Sequence, residues 1–313
     1  MKKFAIFATF AFALGLASMS SAHQPEGQLF TAFQWPDSHI PTLDGNLSEW
    51  DIVPEDYHIT MEDHWDAAGE RDYNFNSLNI KMIVAYNASD DKIYFMSERF
   101  DDYYDRNGAE GGAGGDDSWE MHHDGDHAGD DMWVSGEDYP DADERALNMG
   151  RRAQTYHTRF PELPGSTGEG GSTWAWFWVS QSTWHDKPEY MDYGFQIDGE
   201  INNGEATTYV EFNRVSWDDF LWNDEANSVI HDLVEGEIMG YGWQIVDHGT
   251  EDLDSGGENK PRNWYVSGAS DAWRTAASAT DFLLAPIDPR VDFGAPTAVE
   301  EQSWGRIKEG FLQ

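Results

Sequence analysis

The 313-residue sequence contains no cysteine. Disulfide staples, iron–sulfur clusters, thiolate zinc sites, c-type haem attachment and a lipoprotein anchor are therefore excluded. Positive charge is also scarce: 19 Lys and Arg stand against 59 Asp and Glu, for a formal net charge of −40. Nucleic acid and anionic lipid both reward positive charge, so neither fits as a partner. No long stretch carries the three-and-four apolar spacing of an amphipathic helix, and Gly, Pro, Asn and Asp interrupt the chain often. Beyond the N-terminus no apolar run approaches the length of a membrane span. Nucleophile elbows, phosphate loops, zinc-protease helices, dinucleotide fingerprints and internal repeats are all missing. With 59 acidic residues, close carboxylate pairs carry no information about glycoside hydrolysis.

What is present begins with Lys2 and Lys3 ahead of an apolar run, then small residues at Ser20 and Ala22. This pattern is a secretory signal over residues 1–22, cleaved after Ala22, with Ala17 as a second position, so a secreted or periplasmic protein is expected. Loss of the two lysines leaves 17 basic against 59 acidic residues, a net charge of −42. So many carboxylates make a solvated surface and offer ready oxygen ligands for Ca²⁺. Fifteen Trp, 13 Tyr and 17 Phe sit in this chain, whose mean hydropathy is only −0.67. A polar chain rich in flat rings suits sugars, whose C–H faces stack on aromatics, although many rings must also fill the core.

The local patterns are those of strands. Leu78 to Tyr86 and Lys92 to Phe100 flank a NASDD turn and predict a hairpin with one apolar face. Further strands are predicted at Ser118 to His123, Arg152 to Phe160, Thr173 to Val179, Tyr193 to Ile197, Thr207 to Phe212, Tyr241 to Val246, Asn263 to Ser267 and Asp281 to Ala285. Short strands separated by turns predict an all-β sandwich or jelly roll. One domain over residues 23–290 is expected, with long acidic and Gly-rich insertions near 106–117, 135–150, 163–190 and 249–261. Residues 291–313 then form a C-terminal extension with a short helical turn at Trp304 to Phe311.

Several landmarks fall in a set order: IPTLDGNLSEWD (Ile40 to Asp51), the hairpin ending SERFDD (Ser97 to Asp102), DSWE (Asp117 to Glu120), GEATTYVEFNRVSWDDF (Gly204 to Phe220), MGYGWQIVDHGT (Met239 to Thr250) and DAWRTAASATDFLLAP (Asp271 to Pro286). Together they resemble the family 9 carbohydrate-binding modules and their DOMON-like relatives. The resemblance spans Ile40 to Pro286 and implies an antiparallel β-sandwich that binds carbohydrate without catalysis, a sugar lying between two tryptophans, with structural Ca²⁺ nearby. Carried across, it places one ring at Trp273 beside Arg274 and a polar contact at Glu120. The family's second tryptophan falls in a Gly-rich stretch here. Its arginine on the next strand is replaced by Tyr156 or His157.

The remaining candidates rest on alternation. Trp174, Trp176 and Trp178 share one face of a strand whose other face is also apolar, which predicts either a fully buried strand or an exposed aromatic platform. Trp184, beyond the polar QST step, is expected to be exposed and to supply the missing ring. In DSWEMHHDGDHAGDD (Asp117 to Asp131), alternation sets His122 and His123 on opposite faces, so both cannot hold one ion from a regular strand. An EF-hand frame fails because Ala128 and Ser135 stand where oxygen ligands are needed. A looser Ca²⁺ turn of Asp124, Asp126 and Asp130 is retained, as is a second acidic loop at Asp252, Asp254 and Glu258. His122 with His127 could bind Zn²⁺ or Cu²⁺. Two other classes stay open: a DOMON-like b-type haem electron-transfer subunit, and a copper oxidase using a freed His23. Mass spectrometry of the exported protein is expected to give His23 as its first residue, and any other terminus removes the copper alternative.

Overall fold

The computed structural model describes residues 24–106, 117–161, 173–175, 184–247 and 262–294. The signal segment, His23, the acidic loop with Asp252 and Asp254, Trp176, Trp178 and the helical turn at residues 304–311 lie outside them. The strands are β1 Leu29–Gln34, β2 Ile59–Thr60, β3 Trp65–Asp66, β4 Leu78–Asn87, β5 Lys92–Asp101, β6 Ser118–Asp124, β7 Gln154–Thr158, β8 Thr173–Ala175, β9 Met191–Gly199, β10 Ala206–Val215, β11 Trp217–Asp219, β12 Val229–Ile230, β13 Ile238–Asp247, β14 Arg262–Tyr265 and β15 Thr280–Leu284. The predicted hairpin forms as β4 and β5, paired from Leu78 opposite Asp101 to Asn87 opposite Lys92. Other predicted strands appear within a few residues of their expected bounds, while β1 and the seven-residue helix Ala142–Asn148 were not expected.

Among the described residues the pairing order is β8-β7-β6-β13-β15-β1-β4-β5-β10-β9. Strand β1 divides this path. Its residues Leu29 to Ala32 pair with β15, and Phe33 and Gln34 pair with β4. One sheet (β8, β7, β6, β13, β15) thus passes into a second (β4, β5, β10, β9) through a shared corner strand. Both partners of β1 run parallel to it, so the sandwich is antiparallel except at this corner. Alternation on β4 turns Leu78, Ile80, Met82 and Val84 into the space between the sheets, where they join Phe95, Phe212, Trp119, Met121, Trp243 and Phe282 in one buried cluster. Phe95 of one sheet meets Trp243 of the other edge to face at 5.4 Å.

The other face of the β4–β5 sheet is covered by the N-terminal segment. Phe33, Ile83, Ala85, Tyr94 and Met96 lie beneath Trp35, Trp50, Val53 and Tyr57. This cover is pinned by Glu211 of β10. Its carboxylate accepts from Trp50 Nε1 at 2.6 Å, Gly45 N at 2.8 Å and Asp44 N at 3.2 Å. The LDG landmark has a steric cause: Gly45 sits at φ +80°, and a Cβ there would lie 2.6 Å from Gln196 N. Gly194 faces it, its own Cβ position 2.4 Å from Asp44 N. A positive φ and backbone contact both demand glycine.

His231, just past β12, joins β11 to the start of β13. Its Nδ1 bonds Asp218 at 2.7 Å and its Nε2 bonds Glu237 at 3.2 Å. Burial pulls its pKa down, but the bond and charge of Asp218, then Glu237, outweigh this and raise it above the ordinary value. A raised histidine pKa gives stability that is complete below about pH 6.5 and is lost as pH climbs through the folded value. Replacing His231 by Asn is therefore expected to flatten the fall in melting temperature between mildly acidic and mildly alkaline pH. Urea melts of Gly45→Ala should show a loss of more than about 1 kcal/mol from forced φ and backbone collision; an unchanged midpoint would contradict this packing.

Candidate functional site

Strand β6 carries chemistry on both faces. Trp119 and Met121 enter the core, while Ser118, Glu120, His122 and Asp124 face the other way by strand alternation. Glu120 stands opposite Gln244 of β13 and His157 of β7, and Gln244 stands opposite Tyr265 of β14. The result is a cross-strand row, Tyr265, Gln244, Glu120 and His157, on the outer face of this sheet. His157 Nε2 and Ser118 Oγ are 2.5 Å apart, and His122 Nε2 lies 3.4 Å from Glu120 Oε1. Gln244 Oε1 and His122 Nδ1 are buried and find no hydrogen-bond partner among the described residues. Burial lifts the Tyr265 hydroxyl to about 12, with the charge of Glu120 adding to it.

Two loops are stitched across this face by main-chain bonds. Met132 N and Trp133 N both donate to Arg274 O, at 2.9 and 3.0 Å, and Ala276 N donates to Asp130 O at 3.0 Å. Asp131 and Thr275 form an antiparallel bridge between them. The pair is fastened to the sheet by Thr155 of β7, whose hydroxyl donates to Trp273 O at 3.1 Å; Thr155 is the cross-strand neighbour of His122. Met132, Ala153 and Ala276 form a small apolar cluster at the join. This stitching brings Trp133 and Trp273 around one guanidinium: Arg274 Cζ lies 4.9 Å from the ring of Trp133 and 5.5 Å from that of Trp273. Both rings are half-buried and Arg274 is exposed. A cation over aromatic faces holds the rings and presents N–H donors at the same place.

Of the sequence-predicted residues, Trp273 and Arg274 thus meet at the surface, and Glu120 lies on the outer face of the same sheet. Tyr156 does not share that face. Alternation turns it inward, where its ring meets His123 at 5.2 Å and lies 4.1 Å from Arg214 Cζ; His157 is the residue beside Glu120. Trp184 is also corrected. It is 7% exposed, packed against Trp217, Phe220 and Tyr190, with Nε1 donating to Trp222 O at 3.1 Å. The ring that sequence reasoning missed is Trp133, 140 positions before Trp273 and tied to it through the main-chain bonds to Arg274 O and the Asp131–Thr275 bridge. Trp174 is on β8, paired with His157.

The turn of Asp124, Asp126 and Asp130 is held by its own backbone. Asp124 accepts from Gly129 N at 2.8 Å and Asp126 from Ala128 N at 3.2 Å. Burial and then Asp124 and Asp130 raise the Asp126 pKa. His127 turns to Asp281 at 3.0 Å, and His122 to Glu120. Among the described residues the carboxylates that converge are elsewhere: Asp101, Asp117 and Asp247, all buried, each offer an oxygen within 4.8 Å of the others. Arg99 lies against them, its Nη2 2.5 Å from Asp101 and 3.0 Å from Asp117. Burial, opposed by Arg99 and reinforced by Asp247, moves Asp101 up to about 6; burial carries Asp117 well above its ordinary value. The hard oxygens of these three converging carboxylates could hold a metal ion.

No family model matches the sequence, and no curated protein matches it. Its fold is similar to a family 9 carbohydrate-binding module of Caldicellulosiruptor kristjanssonii solved with cellotriose, at TM-score 0.50 and 10% identity, covering 85% of this chain and 98% of that one. A family 9 carbohydrate-binding module of Caldicellulosiruptor kristjanssonii solved with glucose aligns at TM-score 0.48 and 10% identity, over 84% of this chain and 98% of that one. The two sheets joined at a corner strand are thus a β-sandwich similar in fold to the module solved with cellotriose.

Proposed function

We propose that the protein is a secreted, non-catalytic carbohydrate-binding protein whose contact surface is formed by Trp133, Arg274 and Trp273. The observation that carries this reading is the convergence of two half-buried indoles on one exposed guanidinium, their loops joined by main-chain bonds and tied to the sheet by the Thr155 hydroxyl. Stacked rings take the C–H face of a pyranose, and the guanidinium donates to its hydroxyls. Glu120, Gln244 and His157 lie buried on the same sheet face, with Glu120 opposite both of the others. The module of similar fold was solved with cellotriose, so β-linked glucose chains are the first ligands to test.

Calcium is proposed for the Asp101, Asp117 and Asp247 cluster. Carboxylate oxygens are the ligands Ca²⁺ prefers, and its remaining positions are of the kind that backbone carbonyls or water fill.

Titration calorimetry with cello-oligosaccharides is expected to show saturable binding that weakens about tenfold or more in Trp273→Ala and in Trp133→Ala, each losing a stacked ring. Absence of binding to any glycan in a broad panel, or variants that bind like the parent, would sink the proposal. Calcium should raise the melting temperature, and that response should vanish in Asp117→Asn while Asp126→Asn keeps it; the reverse pattern would return the ion to the turn.

A further inference from the structure

The cross-strand row on the outer face continues past Tyr265. Strand β3 pairs with β14 so that Trp65 stands opposite Tyr265, which places Trp65 on the same face, at the edge of the sheet away from β8. Its indole is half-buried and is backed by the loop that follows β14. Gly268 of that loop sits at φ +68°, and a Cβ there would lie 3.1 Å from Trp65 Cδ2. A positive φ and an indole this close both call for glycine. Over the ring stands Arg71, its Cζ 3.8 Å from the centroid. Arg71 is exposed. The pair repeats, at the other end of the same loop, what Trp133 and Trp273 do for Arg274.

The two guanidinium groups share a second property. Among the described residues Arg71 and Arg274 have stacked rings but no ion pair and no side-chain hydrogen bond. Arg99, Arg106, Arg151, Arg214 and Arg290, by contrast, each donate to a carboxylate or a carbonyl. In a chain with 59 acidic residues, an exposed arginine without a carboxylate is the exception. A ring takes the face of a guanidinium and leaves N–H donors unspent, so each unit offers fixed donors to a ligand.

The units are separated by much of the width of the sheet. Trp65 is on β3, Trp273 O is bonded to Thr155 of β7, and between them lie β14, β13 and β6. Four interstrand steps of about 4.8 Å make about 19 Å, more than one pyranose ring spans. A ligand that meets both units is therefore a chain that repeats its chemistry. Charge decides its kind. Glu70 and Asp72, both exposed, flank Arg71 in sequence, and exposed Asp271 lies on the connecting loop, near enough to Tyr265 for its charge to help raise that hydroxyl. Carboxylates beside the guanidinium groups repel a polyanion but accept from hydroxyls. We propose that Trp65 and Arg71 form a second subsite for the ligand of the Trp133, Arg274 and Trp273 surface, so that this face holds an extended stretch of a neutral polysaccharide. The subsite rests on the carbohydrate reading of that surface and specifies the length and charge of what it holds.

Titration calorimetry of the full chain with the series from cellobiose to cellohexaose tests the subsite. Affinity is expected to climb about tenfold or more from the shortest chain to the longest, and Arg71→Ala should cancel that gain while binding cellobiose as the parent does. Oligogalacturonates, with a carboxylate on every ring, should bind more weakly than neutral chains of the same length. Three results would overturn the subsite while the first surface stands: cellobiose and cellohexaose bind alike; Arg71→Ala keeps the full gain with length; or oligogalacturonates bind more tightly than the neutral chains, which makes the arginines a site for acidic glycans. If no cello-oligosaccharide binds, the subsite falls, and the broad glycan panel decides the first surface separately.

Discussion

The architecture turns on a single six-residue strand. Strand β1 gives its first four residues to β15 and its last two to β4, so one continuous backbone joins two sheets that otherwise meet through side chains. The buried cluster of Phe95, Trp243, Phe282 and their neighbours draws on both sheets, and β1 is hydrogen-bonded to both. Immediately after β1, Trp35 enters the second apolar cluster under the N-terminal cover. The same short stretch therefore closes the main core and starts the outer one.

Charge is managed by placement. Basic residues are few, yet Arg99, Arg106 and Arg214 are all buried. Arg99 faces three carboxylates, Arg106 donates to the carbonyl oxygens of Phe160 and Pro161, and Arg214 reaches His185 O and Asp186. These guanidinium groups are spent on the interior, where they meet buried carboxylates and carbonyls such as Asp101, Asp117 and Phe160 O. The exposed Arg274 between two rings stands out against that background.

Much of this was legible in the sequence because alternation is local. The β4–β5 hairpin and the opposed faces of His122 and His123 follow from a period of two, and the order of the landmarks led to the sandwich. The LDG landmark acquires a cause only in three dimensions, where Gly45 and Gly194 abut. Strand β1 escaped notice because its faces serve two different sheets and show no single alternation. The helix Ala142–Asn148 is too short to display a period, although Asp141 caps it from its side chain. Trp184 and Trp133 exchanged roles for a related reason. One is covered by Trp217 and Phe220 and the other is delivered by a bridge to Thr275, and neither contact leaves a mark in neighbouring sequence.

The loops bearing Trp133 and Trp273 are joined by backbone groups: Arg274 O receives two amides, and Trp273 O takes the Thr155 hydroxyl. The carbonyls at these positions exist whatever side chains replace the rings. At the proposed site ligand choice and scaffold integrity would therefore be separable: rings could be exchanged for others without redesigning the frame, and a ligand would meet loops whose ordering entropy was settled at folding.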